Sequence, residues 1–184
     1  MSNSFYGENE LKTLGLKSYG KNVLISRKAS IYSPDLISIG NFVRIDDFCI
    51  LSGNISLGSY IHISAYSALY GKFGIKMHDF SGLSPRCTVF SAGDDFSGEF
   101  LIGPMIDQQF TNVEGGEVNI GKYSQLGCNC VVLPGINISE GVAVGAMSLV
   151  TKNLSPWKIY KGIPAKCMKE RSKDLLKFNY NGSR

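Results

Sequence analysis

From Ile39 onward an aliphatic residue returns at every sixth position: Ile39, Ile45, Leu51, Leu57, Ile63, Leu69 and Ile75, the same step leading on to Ser81 and Cys87. A second run keeps the step through Ile120, Leu126, Val132, Ile138, Val144 and Val150. Thirteen of these fifteen slots are Ile, Leu or Val, too many for accidental spacing. Two residues before the anchor the chain is again apolar or small, as at Val43, Cys49, Ile55, Ile61, Ser67, Val118, Ser124, Cys130, Ile136, Val142 and Ser148. Two inward positions separated by one outward position describe a very short strand. Gly follows the anchor at 40, 58, 121, 127 and 145, where the chain can turn without a Cβ clash. A helix is excluded, because a step of six puts successive anchors on different helical faces. A six-residue unit cannot close a core, so the units must stack into a solenoid.

The pattern changes at its borders. Residues 8–16 carry helix-like apolar spacing at Leu11 and Leu14 and predict a short helix capping the first coil, since an open coil end exposes backbone edges. Ile120 lies 33 residues beyond Cys87, not a multiple of six, so the register breaks there. The intervening 91–117, rich in Gly and acidic residues, reads as a loop thrown out of the solenoid, a common carrier of sites on a rigid scaffold. The basic stretch 166–177 is expected to form a short C-terminal helix, with 179–184 frayed. The expected organisation is therefore a cap over 1–22, the solenoid over 23–157 with the loop at about 91–117, and a C-terminal segment over 158–184.

Composition narrows the class. With 43% hydrophobic and 18% charged residues the chain is neither disordered nor a coiled coil. A net charge of +4 suits an anionic small ligand and argues for no nucleic-acid partner. No apolar run is long enough to span a membrane, and the N-terminus lacks a signal-peptide pattern. Five Cys without metal-like pairing fit free thiols in a cytoplasmic protein. Two His cannot supply a three-histidine zinc site within one chain, and no metal is expected.

The [Leu/Ile/Val]-Gly-x-x-x-x units resemble the hexapeptide-repeat acyltransferases. The similarity is densest over 118–171, where L-P-G at 133–135, V-G-A-x-S-x-V at 144–150 and G-I-P-A-K at 162–166 follow in the order of the sugar O- and N-acetyltransferase branch. The resemblance implies an all-β left-handed parallel β-helix, a triangular prism with three hexads per coil, assembled as a homotrimer. It also implies transfer of an acetyl group from acetyl-CoA to a hydroxyl or amine of a sugar, nucleotide-sugar or glycan precursor, often for bacterial lipopolysaccharide or capsule. The alternatives are a non-sugar acceptor, or a non-catalytic trimeric scaffold.

Acyl transfer from a thioester needs a base, donors for the oxyanion and a grip on CoA. Relatives of this branch commonly place a His in the extruded loop, whereas this chain has Asp94 and Asp95 there. Three bases stand open. His78 is expected beside Asp94 or Asp95, since eighteen residues on from His78 is Phe96. Asp94 or Asp95 alone is the second, and His62 the third. The Cys128 backbone amide, in the Gly127-Cys128 turn that resembles the thioester-facing one, is the expected oxyanion donor. Cys49, Cys87 and Cys130 fall on inward slots and read as core. The pantetheine arm is expected along Gly127, Gly145 and Ala146. Lys152, Lys161, Lys166 and Arg171 are the cations for the phosphates, with Pro164 in the turn that resembles the one packed on the adenine. Trp157 either joins that stack or plugs the last coil.

Overall fold

The computed structural model describes residues 4–178 and 180. The chain is a left-handed parallel β-helix. One wall holds the parallel strands Leu24–Ile25, Arg44–Ile45, His62–Ile63, Gly82–Leu83, Gln125–Leu126, Ala143–Val144 and Lys158–Lys161. The other two walls are joined in one sheet, because the long strands Ile50–Leu57 and Ala68–Met77 run around the corner between them. Anchors stack in columns: Ile45, Ile63, Leu83, Leu126 and Val144 on the first wall, and Leu51, Leu69, Val89, Val132 and Val150 on the second. Ile39, Leu57, Met77, Ile120 and Ile138 form the third column. These side chains fill the prism, nearly all of them fully buried.

The first register break comes earlier than the sequence pattern indicates. Leu51 pairs with Leu69, but Ile55 pairs with Ile75 and Leu57 with Met77, so two extra residues are absorbed after Gly53. Met77, Leu83 and Val89 are therefore the anchors, while Ile75, Ser81 and Cys87 occupy the inward slot two residues before them. Both slots face inward in an extended strand, so a slip of two keeps every buried residue buried.

One corner carries an unusual load. Phe42, Tyr60, Phe80, Tyr123 and Trp157 adopt left-handed backbone, with φ between 55° and 61°. For bulky residues this conformation costs about 1–3 kcal/mol each. Ring stacking offsets part of the cost: centroids lie 5.0 Å apart for Phe42–Tyr60, 4.6 Å for Tyr60–Phe80 and 5.4 Å for Phe80–Tyr123. Trp157 closes the column, 9% exposed and pressed on Gly141, whose φ of +69° and missing Cβ leave room for the indole. It plugs the last coil.

The ends are closed at both sides. Helix Glu8–Thr13 buries Leu11 against the first coils, held by the Glu10 carboxylate, which accepts from the Gly7 amide and from the Arg27 guanidinium. The basic segment expected to be helical is instead a strand, Lys166–Glu170, antiparallel to Lys158–Lys161, with a single 3-10 turn over Asp174–Lys177. All five of its residues are exposed, so it has no apolar stripe on which to pack a helix. Apart from residue 180, the tail expected to fray at 179–184 lies outside the described residues. The segment inserted between coils leaves as a ribbon, Ala92–Asp94 antiparallel to Val113–Gly115, with the loop tip beyond it.

Candidate active site

Where each first-wall strand ends, the next residues make an edge. Ser64, Ser84, Gly127 and Gly145 stand one above another along it, each amide donating to the carbonyl of the residue before its neighbour: Ser84 to Leu126, Gly127 to Val144 and Gly145 to Tyr160. A Cβ on Gly127 would lie 2.6 Å from the Ala146 nitrogen, so only glycine lets these coils approach. Cys128 and Ala146, the next residues on adjacent coils, are exposed. Among the described residues their backbone N–H groups have no acceptor, although the neighbouring amides of Asn129 and Met147 are bonded to Pro85 and Cys128. The edge thus presents two parallel free donors, the arrangement that a thioester oxyanion and an amide-bearing pantetheine arm require.

The sequence-proposed CoA residues divide between edges. Gly127, Gly145 and Ala146 share this one, and Lys161 follows them, its Cβ 3.1 Å from the position of a Gly145 Cβ. Lys161 pairs with Lys166 across the C-terminal hairpin, with Pro164 exposed in the turn between them. Lys152 is exposed but follows the second-wall strand Leu149–Val150, on another edge. Arg171 is committed elsewhere: its Nη1 donates to the carbonyls of Tyr123 and Gly141 at 2.8 and 3.0 Å, clamping the aromatic corner. Burial lowers the pKa of this guanidinium. Cys49, Cys87 and Cys130 are fully buried, as their inward slots require.

The expected juxtaposition of His78 with Asp94 or Asp95 does not form within the chain. His78 donates its amide to Ile120 and so lies beside Gly121, in a shallow cleft with Lys76, Asp79 and Lys122. Counting eighteen residues forward from His78 fails because the extruded segment intervenes. Asp94 sits in the ribbon opposite Val113, exposed. Asp95 accepts from the Ser97 hydroxyl, from the Ser97 amide at 2.7 Å and from Asn112, and these bonds, the hydroxyl's foremost, hold its carboxyl below the usual range.

The histidine–carboxylate pair that does form is His62 with Asp46. His62 Nε2 lies 2.8 Å from one Asp46 oxygen, and Arg44 Nε donates to the other at 2.7 Å. A count of eighteen from His62 leads to Phe80, but the two-residue shift places His62 beside Gly82. Burial pushes the Asp46 carboxyl upward, but the bonds from Arg44 and His62 outweigh it and leave the pKa below its ordinary 3.8. The stability this carboxylate contributes is present above pH 3.8 and is lost as pH falls through its lowered folded pKa. Asp46→Asn is therefore expected to flatten that part of the stability–pH profile, read by thermal melts between about pH 5 and 2.

Two further polar groups at this edge carry no sequence signal. Gly82 leaves space for the Gln125 side chain, which lies across it and donates from Nε2 to Ser84 Oγ at 3.1 Å. A serine and a glutamine separated by 41 residues share no motif, and only coil stacking brings them together.

A parallel β-helix with an edge of paired free amides beside a hydroxyl is an arrangement that acyl transfer from a thioester can use. The comparisons agree. The chain is 43% identical over 176 residues to the dTDP-4-amino-4,6-dideoxy-D-glucose acyltransferase of Escherichia coli, covering 94% of this chain and 92% of that one. It superimposes with a TM-score of 0.93 on AntD, an N-acyltransferase from Bacillus cereus in complex with dTDP and 3-hydroxybutyryl-CoA, at 53% identity over 96% of this chain and 94% of the other. WbbJ of Escherichia coli K12, named for lipopolysaccharide biosynthesis O-acetyl transfer, is 27% identical over 79% of this chain and 74% of its own length. No protein-family model matches the sequence. The chain belongs to the hexapeptide-repeat sugar acyltransferases. It is an enzyme that uses an acyl-CoA donor.

Proposed function

We propose that this enzyme transfers the acyl group of an acyl-CoA to the amine of a nucleotide-linked amino-dideoxy sugar, of the dTDP-4-amino-4,6-dideoxyglucose kind, in the cytoplasm and for a bacterial surface glycan. The observation that carries the reading is that the chain has both Ser84 and Asp94. AntD has been crystallised as variants of Ser84 and Asp94, several of them with dTDP or the dTDP-amino sugar and CoA bound, and this chain has the same residue types at the same numbers. The donor in one AntD complex is 3-hydroxybutyryl-CoA, which places acyl groups larger than acetyl within the range to be tested.

In this reading the sugar amine is held by Ser84 Oγ and the Asp94 carboxylate. Its nitrogen attacks the thioester carbon, and the carbonyl oxygen, gaining charge, accepts the Cys128 amide. The N–C bond forms, the C–S bond breaks, and the amine proton ends on the departing CoA sulfur, giving an amide and free CoA. A carboxylate at the amine favours its approach and takes or orients the proton.

Ser84 follows a first-wall strand, whereas Asp94 ends the ribbon strand that leaves after the second-wall strand Thr88–Phe90, which favours a homotrimer in which the ribbon of one subunit reaches the edge of the next. The apolar loop tip supports the same reading: Phe96 is 97% exposed and Met105 93%, a surface that calls for a neighbour. All five cysteines are free, as suits the reducing cytoplasm.

The test is acyl transfer followed by mass spectrometry, with acetyl- and 3-hydroxybutyryl-CoA against a panel of amino- and hydroxy-sugar nucleotides. Amide formation on a dTDP-4-amino sugar is the expected result, and transfer to hydroxyl acceptors alone would overturn it. Light scattering should give a particle of about three times the 20.1 kDa chain, and a stable monomer would remove the shared site.

A further inference from the structure

Behind the edge of free amides a second column runs inside the prism. Cys49, Ser67, Cys87, Cys130 and Ser148 precede the second-wall residues Ile50, Ala68, Thr88, Val131 and Leu149, which pair in register, so the five stack one above another. All five are buried. Each of the first four aims its thiol or hydroxyl at the edge carbonyl of the next coil up. Cys49 meets Ser64 at 3.2 Å and Ser67 meets Ser84 at 3.3 Å. Cys87 meets Gly127 and Cys130 meets Gly145, both at 3.1 Å.

The Gly127 and Gly145 carbonyls belong to the peptides that carry the two free donors. A trans peptide is planar, with C=O and N–H on opposite sides, so a Gly127 oxygen held toward the core turns the Cys128 N–H outward. Gly145 has a second donor, the Ser148 hydroxyl at 2.7 Å. Gly127 has no such reserve: among the described residues the Cys87 thiol alone donates to its oxygen. As a glycine it also lacks the Cβ that would restrict rotation of this peptide. Contact with Cys130 and burial push the Cys87 thiol up, so it keeps its proton and donates. A donor on the carbonyl polarises the peptide and strengthens the N–H at its other end.

We infer that Cys87 is a positioning residue for acyl transfer. From inside the core it fixes and polarises the peptide whose outer face is the Cys128 amide, and so sets the strength of the oxyanion site without touching substrate. The inference rests on the reading of that amide as the oxyanion donor. It gives a buried thiol, which residue type alone marks as core filling, a part in the chemistry on the other side of the wall.

The test compares steady-state kinetics of Cys87→Ala and Cys87→Ser in the full-length protein, below their melting temperatures, with CoA affinity read by calorimetry. Both variants leave nearly the same space, but only serine keeps a donor, and Ser67 and Ser148 show that the column accepts one. Cys87→Ala is expected to lower kcat about three- to tenfold, with KM for acyl-CoA and CoA affinity unchanged, and Cys87→Ser to recover most of the loss. Cys49→Ala removes the same group from the same column but serves the Ser64 carbonyl, and should leave kcat unchanged. If Cys87→Ala does not fold, Cys87→Val fills the core without a donor and takes its place. Parental kcat in the donorless variant, or an equal fall in the alanine and serine variants, would overturn the role of the thiol. Cys128→Pro separates that failure from failure of the oxyanion reading. It removes the N–H, and the backbone accepts proline there, because Pro85 holds the same position one coil below. A fall of about a hundredfold or more in Cys128→Pro keeps the oxyanion reading even where the role of Cys87 fails. Parental kcat in Cys128→Pro would overturn both.

Discussion

Ile138→Asp is expected to cost at least about 3 kcal/mol of folding stability, while Asn137→Asp, one residue earlier, should stay within about 0.5 kcal/mol. Ile138 is fully buried, stacked on Ile120 below and bridged to Leu154 above. The prism interior around it is mostly aliphatic, and the buried Ser124 hydroxyl is already committed to the Ser139 carbonyl, so a carboxylate there finds no free donor. It must bury its charge unpaired or shift its pKa far upward to become neutral, and both routes are costly. Asn137 points outward from the same short strand and is exposed. Each coil leans on its neighbours, so the damage should spread beyond one turn and lower the cooperativity of unfolding as well as the midpoint. Denaturant titration of the two variants reads the difference directly. Equal midpoints would mean that the inward and outward positions have been exchanged.

The hexad pattern exposes most of the fold because its physical cause is local. From Ile120 to Val150 every sixth residue is an anchor, and all six are buried at the centre of the prism. The pattern misleads only where a slip leaves its chemistry unchanged. Ser81 and Cys87 continue the count of six and are buried, yet they occupy the slot before the anchors Leu83 and Val89. Nothing in residue type separates the two slots, since both face inward; only the strand register does. That slip of two, together with the extruded segment, defeats any argument that counts coils to place one side chain beside another. His78 and Asp94 are separated for this reason, and His62 meets Asp46 instead.

The edge with its free amides was legible from Gly127, Gly145 and the V-G-A-x-S-x-V segment, because a missing Cβ marks close backbone approach. Ser84 and Gln125 were not, since ordinary polar residues acquire meaning there only through stacking. Arg171 illustrates the converse. Its position in a basic stretch suggested a phosphate ligand, but a guanidinium can also serve carbonyls, and composition does not distinguish the two uses.

Asp94→Ala is expected to lower kcat by about two to four orders of magnitude with CoA affinity unchanged. The side chain is exposed and, among the described residues, forms no hydrogen bond or ion pair within its own chain, so its removal should leave the melting temperature where it was. That separation is what makes the variant informative: with no structural partner in its own chain, and with the assembly checked by light scattering, Asp94 loses activity through the site. An amino sugar reaches the enzyme largely as an ammonium ion, which has no lone pair for the thioester until a proton is lost. A carboxylate at that nitrogen draws the ammonium in, aligns it and lowers the cost of releasing the proton. Asp94→Asn keeps the shape and removes the charge, so it should fall nearly as far as Asp94→Ala. Ser84→Ala should cost less, about twofold to tenfold, because a neutral hydrogen bond contributes about 0.5–1.5 kcal/mol and water can partly replace it. Steady-state assays with the acceptor varied would separate these effects. If Asp94→Ala keeps parental kcat while His62→Ala is inactive, the proton passes instead to the imidazole that Asp46 orients, and the acceptor amine lies one coil below Ser84.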